Sequence, residues 1–152
     1  MGSRELSYRI EGLDEVIREI ARRQLNARKT IRQMLAPGAD IVKEAVKQRG
    51  KGRFRTQITR SIKLSMARLE ASAEIGPVKK QTYIARFLEF GTTPHVIRAR
   101  RGRYLRLRSG RLVKSVNHPG ARPQPFLQPA FDASEDQATA AIAAKIREVL
   151  EL

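Results

Sequence analysis

Between positions 98 and 114 the chain carries eight cationic side chains: Arg98, Arg100, Arg101, Arg103, Arg106, Arg108, Arg111 and Lys114. Guanidinium groups at this density are suited to binding oxyanions, because their planar donor forks match phosphate and carboxylate oxygens. No acid occurs from residue 90 to residue 131, nor from residue 45 to residue 69, where Lys47, Arg49, Lys51, Arg53, Arg55, Arg60, Lys63 and Arg68 fall. Over the whole chain 31 Lys and Arg stand against 15 Asp and Glu, a formal charge of +16. Such a balance attracts polyanions over long range and says little about fold. On charge alone, nucleic acid and an acidic protein surface are equally good partners.

No other grouping supports a reaction. His95 and His118 are separated by a stretch without a carboxylate, and no third ligand completes a metal site. Each lies beside proline, so both read as turn histidines hydrogen-bonded to backbone. The chain has no cysteine, which excludes disulfides, thiolate metal sites and a cysteine nucleophile. Phosphate-binding loops, dinucleotide fingerprints and nucleophile elbows are absent. Asp14, Glu15, Glu19 and Glu44 fall on polar helical faces. The expectation is a protein that is not an enzyme and uses no cofactor and no metal. A base-reading DNA protein is also poorly supported, since no zinc finger, basic zipper or compact helix-turn-helix pattern occurs. Aromatics make up 5% of the chain, and Tyr104 is the one ring inside the basic run. A single-strand binder interleaves several stacking rings with its cations. Any contact with nucleic acid would therefore be to phosphates and blind to sequence.

The elements that must position these cations follow from hydropathy spacing. A length of 152 residues fits a single domain, 1–152, and 41% hydrophobic with 30% charged residues is ordinary for a folded protein. No apolar run approaches the roughly 18–20 residues of a membrane helix, and Met1–Ile10 lacks a signal-peptide core. The expectation is a protein made in a cytoplasm, with no membrane partner. Leu6–Glu11 alternates as a strand, and Gly12 breaks it. Leu13, Val16, Ile17 and Ile20, continued by Ala27, Ile31, Met34 and Leu35, form the stripe of an amphipathic helix. Pro37-Gly38 is expected to end that helix, and Ile41, Val42, Ala45 and Val46 to resume helical spacing up to Gly50.

Further along, Gln48–Arg55 reads as a mobile loop. Ile62, Leu64 and Met66, then Ala71, Ala73 and Ile75, alternate as two strands joined near Ala67–Glu70. Tyr83, Ile84, Phe87 and Leu88 fit a short helix ending before Gly91. Residues 95–117 predict a long basic β-hairpin projecting from the body, with arginines on one face of the ribbon around Tyr104–Arg108. Pro119, Pro123, Pro125 and Pro129 predict an extended connector. Ser134 and Gln137 are placed to cap a last helix, along which Ala138, Ile142, Ile146 and Val149 share a face. The fold class is α+β: N-terminal helices and a C-terminal helix packed on a small antiparallel β-sheet, with the protruding basic hairpin.

Two segments carry a resemblance. One is Tyr83 to His95, with Phe87, Glu89, Phe90, Gly91 and Thr92. The other is His118 to Asp132, with His118, Pro119, Gly120, Pro125, Phe126, Leu127, Pro129 and Ala130. In this order and separation they resemble the head–tail joining, or tail-completion, family of long-tailed bacteriophages, of the lambdoid gene-product-ten type. The likeness covers about residues 50–150 well and the N-terminal helices in pattern; Gln124 departs from it by separating Pro123 from Pro125. Independently of the likeness, Gly91 suits a left-handed helix stop. Phe126, Leu127 and Phe131 suit anchors of the last helix.

The resemblance implies a structural subunit of the phage neck, joining the head connector to the tail around the DNA channel. It implies a homo-oligomeric ring, six-fold or twelve-fold, that meets connector, head-closure and tail proteins, assembled in the host cytoplasm and carried in the virion. The basic residues 98–114 would then face genomic DNA or dock on a neighbour. The alternative is a non-specific nucleic-acid-binding protein acting through phosphate contacts.

Overall fold

A computed structural model describes residues 13–23, 26–65, 70–100 and 103–151. The strand expected at Leu6–Glu11 lies outside them, as does the turn expected near Ala67–Glu70 apart from Glu70 itself. The chain divides into two compact units, Met1–Thr82 with Phe126–Leu152, and Tyr83–Pro125. Helices and small antiparallel sheets make up the described residues, as the α+β reading implied.

In the first unit α1 spans Leu13–Arg22 and α2 spans Ala27–Arg49. The helical stripe is thus broken at 23–26, not at Pro37-Gly38 as the sequence suggested. The break is made by Asn26, whose side-chain oxygen accepts the Lys29 amide proton at 3.1 Å and caps α2. Pro37 sits inside α2 although its ring removes a backbone donor, normally a cost of about 3 kcal/mol. The offset is burial: Ile31, Met34, Leu35, Ala39, Val42 and Val46 are all buried along the same helix. Each fully buried side chain of this size contributes roughly 1.5–3 kcal/mol.

The burying partner is α4, Leu127–Leu150. It begins well before Ser134, which overturns the expected capping box. Pro129 lies in its first turn, where a missing N–H costs nothing because those amides have no intrahelical acceptor. Ser134 is buried inside the helix, and its hydroxyl donates back to the Ala130 carbonyl at 2.8 Å. Ile20, Ile31, Met34, Leu35, Ala71, Ile142 and Leu150 form one core cluster, with Val16, Ile62, Ile146 and Val149 against it.

Strands β1 (Ile58–Ser65) and β2 (Glu70–Pro77) pair antiparallel, Ile58 opposite Pro77 and Ser65 opposite Glu70, in agreement with the alternation. Arg60 joins the sheet to α2: its guanidinium donates to the Ala36 carbonyl and pairs with Asp40, both at 3.0 Å. The segment read as a mobile loop, Gln48–Arg55, instead contains the end of α2 and a 3-10 turn at Gly52–Arg55. Phe54 is the reason: it is buried, with its ring centroid 5.3 Å from that of Phe126. Gly50 lets the chain pass, since a Cβ there would lie 2.5 Å from the Phe54 carbonyl oxygen.

The second unit contains most of α3 (Thr82–Phe90) and four short strands, β3 (His95–Arg98), β4 (Leu105–Arg106), β5 (Leu112–Val113) and β6 (Ser115–His118). β3 pairs with β6 and β4 with β5, both antiparallel, one ladder nested inside the other. Among the described residues the expected small antiparallel sheet is β1–β2, and where one long projecting hairpin was expected there are two separate two-stranded ladders. The two ladders are also out of step, because Arg98 pairs with Ser115 while Leu105 pairs with Val113, which leaves Lys114 alone between them on the second side. No helix of the described residues is long and apolar enough to cross a membrane.

Gly38 lies where α2 and α4 approach closely. A Cβ there would lie 2.6 Å from Ile142 Cδ1 and 2.8 Å from the Ala138 carbonyl oxygen. Helix propensity alone predicts that Gly38→Ala stabilises the protein by about 1 kcal/mol. Overpacking against a backbone oxygen predicts a loss of about 1–3 kcal/mol. The expected outcome is a lower urea midpoint at unchanged slope, and a higher midpoint would contradict this packing.

Candidate functional site: a basic segment and its signature turns

The signature segments meet within the second unit. α3 ends where Gly91 turns left-handed at φ 70°, as its position after Phe90 suggested. Thr92 and Ala121 then exchange two backbone hydrogen bonds, at 2.9 and 3.0 Å. The Gln124 amide donates to the Leu88 carbonyl at 2.6 Å, satisfying an acceptor that the end of α3 leaves open. Gly120, at φ 85°, passes so close that a Cβ would collide with the Thr92 carbonyl oxygen. Glycine is required at both turns for space as well as for conformation.

The two histidines sit opposite each other in the β3–β6 ladder, rings tilted at 31° with centroids 5.0 Å apart. His95 Nδ1 lies 2.9 Å from the Thr93 carbonyl, which needs a proton on that nitrogen. His118 Nδ1 accepts the Gly120 amide at 3.1 Å, so in the neutral ring its proton is on Nε2. Both rings are held by turn backbone, as the bland reading held. Among the described residues no group of three His, Asp or Glu could hold a metal ion.

The described cations lie in the ladders and beside them. Arg98, Arg100, Arg103, Arg106, Arg108, Arg111 and Lys114 are all exposed; Arg101 lies outside the described residues. Leu105 and Leu107 are half-buried while Arg106 and Arg108 point to solvent, so the alternation does place arginines on one side of this strand. A turn at Leu107–Gly110, closed by the Gly110 amide on the Leu107 carbonyl at 2.9 Å, reverses the chain. Among the described residues no carboxylate lies within ion-pair distance of these seven cations. Large apolar side chains are interspersed: Val96, Tyr104 and Leu112 are 51%, 56% and 59% exposed.

The remaining signature residues divide. Phe126 and Ala130 are buried in the first unit, with Leu127, Pro129 and Phe131 half-buried, consistent with anchors of α4. Pro125 and Pro119 are exposed connector residues, and Glu89 is half-buried. Phe87 and Phe90 are exposed on α3, together with Tyr83.

A second feature escaped the sequence. A shallow apolar groove of about 60 Å³ runs in the first unit over Val42 and Val46 of α2, Ala73 and Ile75 of β2, and Phe131 and Glu135 of α4. Its floor depends on small residues (Gly38, Ala39, Ala138) scattered along the chain, and no local motif announces it.

Comparison with known proteins gives one match. The model of the HK97-gp10-like family, described as "Bacteriophage HK97-gp10, putative tail-component", matches residues 14–91, from α1 through the glycine that ends α3. No curated protein and no solved structure matches the chain.

The two-turn lock is testable through Gly120→Ala. Forcing a left-handed backbone on alanine costs about 1–2 kcal/mol before any clash, roughly tenfold in a local opening equilibrium. Hydrogen exchange of the Thr92 and Ala121 amides should speed up by at least about that factor, with the α2 amides unchanged. Unchanged exchange at Thr92 and Ala121 would remove the lock.

Proposed function

We propose that this chain, which belongs to the HK97-gp10-like family of bacteriophage tail components, is a structural subunit of the phage neck, joining the head connector to the tail around the DNA channel. The family match carries the reading. It supports a structural part in the tail; the finer assignment to the neck rests on the turns around Gly91 and Gly120, which belong to the segments resembling tail-completion proteins. In this reading both units act as one subunit of a homo-oligomeric ring, six-fold or twelve-fold, in contact with connector, head-closure and tail proteins. Its place is the virion, after assembly in the host cytoplasm.

The exposed cations Arg98 to Lys114 face either the genome or a neighbouring protein. No chemistry beyond binding is asked of them. The alternative reading, a non-specific nucleic-acid binder, is favoured by the formal charge of +16 and by the seven described cations of the segment, which have no carboxylate at ion-pair distance among the described residues. It predicts affinity that falls steeply with salt, log K dropping by roughly 0.9 per phosphate contact for each tenfold rise in salt.

In a phage encoding this chain, loss of the protein should leave full heads and finished tails unjoined by electron microscopy. The triple variant R100E/R103E/R106E should lower joined particles by about tenfold, as for a loss on the order of 1.4 kcal/mol in contact energy. Normal joining without the protein would remove the neck reading. A purified monomer that coats duplex DNA at about 0.15 M salt, within the screening range where weak surface attraction fades, would transfer the weight to the alternative.

A further inference from the structure

Resting on the neck reading, we propose that α3 is a docking helix whose Tyr83, Phe87 and Phe90 seat in an apolar cleft, rimmed by acids, on a neighbouring phage protein. The three rings fall at i, i+4 and i+7, along one side of the helix, and each is more than half exposed. The other side is already used: Ala85 is buried, and Ile84 and Leu88 are half-buried. Of the nine residues only Thr82, Arg86 and Glu89 are polar. A helix apolar on both sides belongs in a core, yet one side of this one is left in water.

The stripe is held ready to bind. The Tyr83 and Phe87 rings meet edge to face, with centroids 6.2 Å apart and planes at 79°. That contact restrains both side chains beforehand, so less freedom is lost when they are seated. The end of the helix is fixed by the left-handed Gly91 and by the Gln124 amide on the Leu88 carbonyl. Apolar anchors at this spacing are what a protein groove recognises on a helix.

Charge decides what covers the rings. The unit that carries them, Tyr83–Pro125, holds Arg86, the eight cations from Arg98 to Lys114 and Arg122 against one acid, Glu89. Two copies meeting through this unit would bring like charges together. A DNA duplex answers the charge, but its phosphates and groove edges leave a row of rings on a helix uncovered. A protein with acids around an apolar cleft answers both, and aromatic residues with arginine are the usual composition of such contacts.

The test adds the purified full-length chain to heads and to tails isolated from a phage defective in its gene, and measures co-sedimentation. The unaltered protein should bind one of the two, less tightly as salt rises. Phe87→Ser should weaken binding by at least about thirtyfold, the loss of one central anchor, and leave the salt dependence unchanged. Phe87→Leu, which keeps an apolar contact, should lose far less. R103E/R106E/R108E should weaken binding and flatten its salt dependence. All four positions are exposed. Exchange at the Thr92 and Ala121 amides should stay unchanged in Phe87→Ser, which separates lost docking from a disturbed helix end.

Equal binding by Phe87→Ser and the unaltered protein would overturn the proposal, as would an unaltered protein that binds neither particle. So would a Phe87→Ser variant that keeps particle binding but loses self-association, or loses binding to vesicles of anionic phospholipid; the rings would then belong to a second copy or to a membrane. Particle binding abolished by nuclease would make the unit a DNA surface and also overturn it. Joining separates the two levels. If Phe87→Ser binds and joins normally while particles lacking the protein stay apart, the docking falls and the neck reading stands. If particles join without the protein, the neck reading falls, whatever Phe87 does to binding.

Discussion

The first unit depends on the contact between α2 and α4 at Gly38. Replacing a side chain by hydrogen brings the Ala138 backbone and the Ile142 side chain to within van der Waals reach of the α2 backbone. Helix pairs pack at 8–10 Å between axes according to the side chains between them, and a glycine permits the near end of that range. The interior position of Pro37 follows from this. Alone, a helix with proline and glycine in sequence would break, at a combined cost of about 4 kcal/mol relative to alanine. Packed on α4 it need not, because the buried residues on both sides of the pair are held by the same partner. The early start of α4 has the same origin: with Phe126 buried against Phe54 and Ala130 wholly buried, packing fixes the first turn.

The second unit is held by different means. Apart from Ala85 it contributes no residue to the buried apolar set among the described residues, and its order comes from backbone pairing at two glycine turns and two short ladders. Such a unit has little apolar burial to oppose the mutual repulsion of its cations, so its local stability should lie well below that of the helical unit. Recognition surfaces are commonly carried on segments of this kind, supported by a rigid scaffold elsewhere. The family match runs from α1 past the boundary of the two units and stops at Gly91, before the basic segment begins.

Periodicity read from the sequence found the β1–β2 pair, the span of α3 and the inward stripes of α1 and α4, because burial on one face imposes those spacings directly. It failed where local chemistry permits two outcomes and a distant contact chooses. Pro37-Gly38 and Ser134 both carry turn or cap chemistry, yet both lie inside helices that pack on each other. Gln48–Arg55 reads as a loop from its glycines and cations, and only burial of Phe54 against Phe126, far along the chain, orders it. Gly91 was legible as a helix stop, but its pairing with the turn at Gly120 was not, since neither position encodes the other. Charge was legible in full, for it needs no fold; the groove was not, because its lining comes from three elements whose adjacency is a property of the fold alone.

The distribution of charge within this one chain argues for assembly over simple polyanion binding. A protein selected only to coat nucleic acid would gain affinity from every added cation and lose it to every acid near the contact. Here the acids are instead kept out of residues 90–131, and most of those in the described residues lie on helices. Opposite charges that can meet between copies yet are separated along the chain steer association and discriminate orientation more than they add affinity. A head-to-tail ring needs that discrimination, because a subunit joined face to face ends growth at a dimer.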